Sequence, residues 1–251
     1  GYTTLTVVAL YGNYMLIVMG VQTLMTAMFN SMNAGIGNLV AEGDKRKIMS
    51  VFAELFSIRF LFSCIMCFGV LMITPAFVSF WIGKKYVMDS LSLLLMTAIL
   101  FVNLSRTTVD AYINAYGLFG DIWAPIVEAS LNVGLSIILG YYFGLHGVLS
   151  GVLISLLLVV FCWKPYYLFR KGLDERLSIY IFMYARHLMA ALLCGVIVCL
   201  GMRYSMVQGD TTFFDGLLGI LVFSILSTLT LLCVAPGMRN LMRRFIRMCH
   251  V

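Results

Sequence analysis

Arg106 and Asp110 stand one helical turn apart inside an otherwise apolar stretch at 91–112, and Glu128 stands in the next such stretch among Ile126, Val127, Ala129 and Leu131. Charges are costly in hydrocarbon, and a chain that keeps them there usually lines a path for something polar. Arginine suits a phosphate-bearing solute, because its planar guanidinium donates two parallel hydrogen bonds to neighbouring oxygens. Arg59 lies about 16 Å into its own apolar stretch, too deep for simple snorkelling. Arg59 and Arg106 are therefore the candidates for gripping an anionic head group, with an internal Arg106–Asp110 ion pair as the static alternative. Asp110 and Glu128 could instead hold a coupling proton or cation. Glu54, nearer the start of the Arg59 stretch, is expected to be solvated at the interface.

These residues belong to stripes. At roughly 100° per residue, Asn103, Arg106, Asp110 and Asn114 fall within about 80° of one another on a helix. Asp121, Pro125, Glu128, Asn132 and Ser136 share a face of the following stretch, and Gln22, Thr26, Asn30 and Asn33 make a third stripe near the start of the chain. Unsatisfied polar groups are expensive in lipid, so such faces must meet each other or a water-filled cavity. Single amides serve well as glue between helices, but two arginines, a glutamate and an aspartate favour the cavity. Pro125, one turn before Glu128, is expected to kink its helix and provide a hinge.

The elements that must carry these stripes follow from composition. Of 251 residues, 62% are hydrophobic and 11% charged, with a mean hydropathy of +0.99, which excludes an ordinary soluble domain. About 20 apolar residues cross a bilayer, and seven stretches suffice: 11–40, 48–73, 91–112, 122–142, 147–168, 180–202 and 213–234. The fold class is thus all-α, a polytopic transmembrane bundle. Short connections at 117–121 and 144–147 force two antiparallel hairpins. Gly140 and Gly144, then Gly147 and Gly151, have the spacing that lets helix backbones approach closely. Cys64-Ile-Met-Cys67 has metal or redox spacing but sits mid-span without a second pair, and reads as core packing. His146, His187 and His250 are scattered, so no metal or other cofactor is read. The chain starts at Gly1 without a signal peptide and is read as a fragment.

Basic residues set the orientation. Lys45, Arg46 and Lys47, then Lys164, Arg170, Lys171, Arg176 and Arg186 around the fifth loop, then Arg239, Arg243, Arg244 and Arg247 in the tail all fall on one side, against Lys84, Lys85 and Arg203 on the other. The rich side is expected to be cytoplasmic, so the net charge of +6 reflects topology and not a nucleic-acid partner. After Pro236-Gly237, the tail mixes four arginines with Leu241, Met242, Phe245 and Ile246. It reads as a stop signal or as a short surface helix drawn to anionic membrane lipids.

The segments Asn30-Ser-Met-Asn33-Ala-Gly35-Ile-Gly37-Asn38-Leu-Val-Ala-Glu42-Gly43-Asp44, Asp110-Ala-Tyr-Ile-Asn114-Ala-Tyr-Gly117 and Pro125-Ile-Val-Glu128-Ala-Ser-Leu-Asn132, with the 144–151 hairpin and the basic loop after Trp163-Lys164-Pro165, carry a resemblance. Together they resemble the carboxy-terminal half of bacterial polysaccharide and O-antigen flippases, within the multidrug/oligosaccharidyl-lipid/polysaccharide flippase superfamily. The resemblance covers roughly residues 5–175; the last two helices match in hydropathy only. It implies two lobes plus a final helix pair, with an amino-terminal half missing here, and alternating-access transport of a lipid-pyrophosphate-linked oligosaccharide across the bacterial cytoplasmic (inner) membrane.

On that reading residues 1–175 are a partial carboxy-terminal lobe, 176–235 the last two helices and 236–251 a basic cytoplasmic tail. Arg59 and Arg106 would meet pyrophosphate, while Asn33, Asn114, Asp110, Glu128 and Asn132 would line a wet path for sugar. The expected partners are the lipid-linked oligosaccharide, anionic membrane lipids and the missing half; no catalytic residue is expected. Two alternatives remain open: a cation-coupled multidrug or metabolite antiporter, and an integral-membrane polysaccharide polymerase or acyltransferase.

Overall fold

A computed structural model describes residues 5–120, 122–206 and 213–249. Asp121, His250 and the side chain of Arg203, all weighed above, lie outside the described residues. Among the described residues the regular structure is helical, with no strand. Helix α1 (Leu5–Glu42) reverses at Gly43, whose φ of 76° suits glycine, into α2 (Lys45–Trp81), where Asp44 caps the amides of Arg46 and Lys47. At 1.5 Å per residue both helices are far longer than the roughly 30 Å of hydrocarbon.

Helix α2 is the axis of the molecule. Phe52, Phe56, Phe60, Cys64 and Phe68 recur every four residues along one buried row. Phe56 and Phe60 meet Tyr184 and His187 edge-on or tilted, and Phe68 stacks on Phe223 at 4.3 Å. Those aromatics come from α7 (Leu177–Met206) and α8 (Phe213–Val234), so α7 and α8 share one apolar core with the earlier helices. Cys64 is buried in that packing, and Cys67 in a neighbouring apolar cluster.

The third apolar stretch is two helices, α3 (Ser90–Ser105), capped by Asp89, and α4 (Thr107–Ala115), with a turn at Arg106. Next comes α5 (Trp123–Leu156), inside which Gly144 adopts φ 59°, ψ −134°, a conformation open essentially to glycine alone. The chain folds back there. Ser136 Oγ donates to the Val148 carbonyl at 3.3 Å, and a Cβ on Gly151 would stand 2.6 Å from the Ser136 amide nitrogen. A straight helix would hold residues 136 and 151 about 22 Å apart.

Among the described residues, six helical stretches are long and apolar enough to span, and the reversal at Gly144 divides one of them into two antiparallel arms. Two of the seven expected stretches, 122–142 and 147–168, are thus the arms of one helix that folds back on itself. The protein is a multi-pass membrane protein with an all-α helix bundle.

The second arm runs through a π-helical segment (Leu157–Trp163), the short α6 (Lys164–Leu168) and another π-helical segment (Phe169–Leu173). After α8, α9 (Pro236–Cys249) buries Gly237 and Met238 against α2.

Several expectations are corrected. Pro125 sits in the first turn of α5, where a missing N–H costs nothing, so it makes no kink; the break is at Gly144. Glu54 is 3% exposed rather than solvated, accepting from Ser50 Oγ and pairing with Arg244 of α9 at 3.3 Å. Lys164 and Arg186 are not loop residues: both lie within helices and are half-buried.

Candidate functional site

A cavity of about 390 Å³ opens where α1 meets α2 and the α3–α4 turn. The whole polar stripe of α1 lines it, Gln22, Thr26, Asn30 and Asn33, as does that of α3–α4, Asn103, Arg106, Asp110 and Asn114. Period-3.6 spacing thus puts eight polar side chains on two facing surfaces, and Arg59 from α2 closes the floor. Thr26, Asn30, Asn33 and Asn114 are exposed, and Gln22 is partly buried.

On the α4 wall the charges form a chain. Arg106 Nε lies 3.3 Å from Asp110 Oδ2 and its Nη1 is 4.0 Å from Glu128 Oε1. The other Asp110 oxygen, Oδ1, accepts from Lys164 Nζ at 2.9 Å. Two cations and two anions from α3–α4, α5 and α6 balance, with each carboxylate engaged. Desolvation makes such a set costly unless geometry is good, and side-chain exposures of 19–30% leave these groups in reach of water.

Lys164 was missed by sequence reasoning, which placed it in a loop. It follows directly on the π-helical segment Leu157–Trp163, whose wider winding changes which face the next residue presents. The available signal was Asp110 itself, a carboxylate in an apolar stretch that needs a cation.

Arg59 is 2% exposed and has no carboxylate partner among the described residues. Its Nη1 donates to the Thr107 carbonyl at 3.0 Å; its Nη2 donates to Asn33 Oδ1 at 3.1 Å and the Phe29 carbonyl at 3.4 Å. The guanidinium also faces the Phe29 ring at 5.3 Å, and only Nε is left unpaired. Arg59 therefore ties α1, α2 and α4 together and underlies the cavity, leaving Arg106 and Lys164 as the more available cations.

The α5 stripe divides. Glu128 reaches Arg106, but Asn132 does not line the cavity: its Oδ1 accepts from Ser136 Oγ at 3.2 Å, and Ser136 serves the hairpin. Of the candidate residues, the structure brings Asn33, Arg59, Arg106, Asp110 and Asn114 to one cavity, sets Glu128 at its edge and leaves Asn132 one turn away.

No family model matches the chain, and no curated protein or solved structure matches it either.

Proposed function

We propose that the chain is the carboxy-terminal part of a transporter for lipid-linked oligosaccharides in the bacterial cytoplasmic membrane, working by alternating access without covalent change to its solute. The observation that carries this reading is the Glu128–Arg106–Asp110–Lys164 chain bordering a polar cavity within apolar spans. Charges placed there serve a polar solute more economically than they serve adhesion. A volume near 390 Å³ is at the lower end for a ligand pocket, enough for a diphosphate and an adjoining sugar, with the longer glycan outside the open end. A cation-driven exporter wants a carboxylate free to take up its coupling ion, whereas Asp110 and Glu128 are both engaged by cations.

The end bearing Lys45, Arg170, Arg176 and α9 is assigned to the cytoplasm on the density of basic residues. In the full-length protein, Arg106→Ala is expected to abolish surface polysaccharide while membrane insertion persists. Normal polysaccharide in that variant removes Arg106 from the transport path.

A further inference from the structure

A second crevice lies on the opposite flank of α2, where α7 and α9 meet it. It is lined by Ala53 and Ser57 of α2, Ser178, Ile179, Phe182, Met183 and Arg186 of α7, and the Pro236-Gly237 start of α9, and its volume is about 590 Å³. Its walls are mostly apolar, and Phe182 and Ile179, at 71% and 44% exposure, continue onto the outer surface of α7. The cation in this apolar setting is Arg186, whose Nε is buried and has no hydrogen-bond partner. Arg239, on α9, is within electrostatic reach of it and has the same sign. Among the described residues neither side chain has a carboxylate partner, and Glu54, the acid on that stretch of α2, is engaged by Arg244. Two like charges within electrostatic reach of one another, one of them with an orphaned donor, lack an anion.

The depth of the crevice says what kind. Helix α9 carries its arginines on one side and Met242, Phe245 and Ile246 on another, the pattern of a helix at the plane of the lipid head groups. It crosses α2 at Ala53 and Ser57, where a Cβ on Gly237 would collide with the Ala53 carbonyl. Arg186 borders the same crevice and adjoins His187, which bonds to Ser57 Oγ at 3.0 Å, so it stands beside the crossing of α2 and α9.

We propose that this crevice is a binding site for one anionic glycerophospholipid. Its phosphate is held by Arg186 and Arg239, with Ser178 Oγ as a further donor, and an acyl chain lies along Ile179 and Phe182. A guanidinium pair matches phosphodiester oxygens, and the apolar wall matches a lipid rather than a free anion. This site is separate from the α1–α4 cavity and does not depend on what is transported.

The test is native mass spectrometry of the full-length protein in detergent, titrated with phosphatidylglycerol or phosphatidylcholine. One phosphatidylglycerol is expected to be retained, phosphatidylcholine not, and excess inorganic phosphate is expected to leave the bound lipid in place. Arg186→Gln should weaken retention about tenfold, the loss of one charge-assisted contact. Arg247→Gln, at the far end of α9, should leave retention unchanged. Equal weakening by both variants means diffuse surface charge and overturns the site, as does equal retention of the two lipids or displacement by phosphate. Should Arg186→Gln fail to accumulate, Arg239→Gln supplies the same measurement, and unchanged retention there overturns the proposal.

Discussion

At the scale of single residues, Asp110 is doubly engaged, since each of its oxygens faces a different cation. Lys164→Met should lower transport while leaving Arg106 in place, and adding Asp110→Asn should recover part of the loss in folding stability. A double-mutant cycle on the purified protein reads this directly; single losses that simply add would show that Lys164 and Asp110 act independently. Arg59→Met removes three donations to carbonyl oxygens from a buried position and is expected to cost about 1–3 kcal/mol of stability, measured by thermal or denaturant unfolding in detergent. Sequence showed that Arg59, Arg106, Asp110 and Glu128 were out of place in hydrocarbon and that three polar stripes each keep to one face of a helix. It did not show the partner of each charge, because pairing across helices depends on rotation and depth, which hydropathy does not record. Lys164 illustrates the point: its π-helical approach is invisible to a period-3.6 reading.

At the scale of elements, the hairpin in α5 depends on small residues. A Cβ on Gly151 would stand 2.6 Å from the Ser136 amide nitrogen and 2.8 Å from the Leu135 carbonyl carbon, both backbone atoms that have little room to give. Gly151→Val should therefore separate the two arms and cost about 1–3 kcal/mol, read as a lower unfolding midpoint. The tip of the hairpin is fastened by His146 Nε2, 2.7 Å from Asp89 Oδ2. Burial works to raise the Asp89 carboxyl, but hydrogen bonds from His146 and Ser92 outweigh it and bring it from 3.8 down to about 2. A depressed carboxyl stabilises above its unfolded value, so this contribution is present above about pH 4 and is lost as pH falls towards 2. Asp89→Asn should flatten the acid side of the stability profile between those limits. The short connection at 144–147 announced this hairpin in sequence, whereas the expected Pro125 kink does not form, because a proline in the first turn of a helix displaces no hydrogen bond.

At the scale of the whole molecule, contacts tie the two ends differently. Lys45 bonds to Asp174 at one end, the end that also holds α9, and Asp89 to His146 at the other. The alternation expected from successive spans is therefore present in the packing. Single-cysteine variants should report it: a thiol at Lys85 is expected to label from outside intact cells, and one at Arg170 only after permeabilisation. The reverse pattern would invert the orientation proposed above. The class of fold was legible because a 62% hydrophobic chain with spaced charges has few alternatives. The docking of α9 was not, since Gly237 and Glu54 reveal their roles only when α2 is seen beside them.

Between α3 and α4 Arg106 keeps helical φ/ψ, its amide bonds to the Val102 carbonyl and its own carbonyl accepts from the Asp110 amide, while the carbonyl that Arg59 grips, that of Thr107, is the next along. Because backbone bonds run across Arg106, Asn103, Asp110 and Asn114 keep to one side of a single rod, and the guanidinium of Arg59 pins that rod to α1 through Phe29 and Asn33, so the mouth of the cavity is braced from beneath.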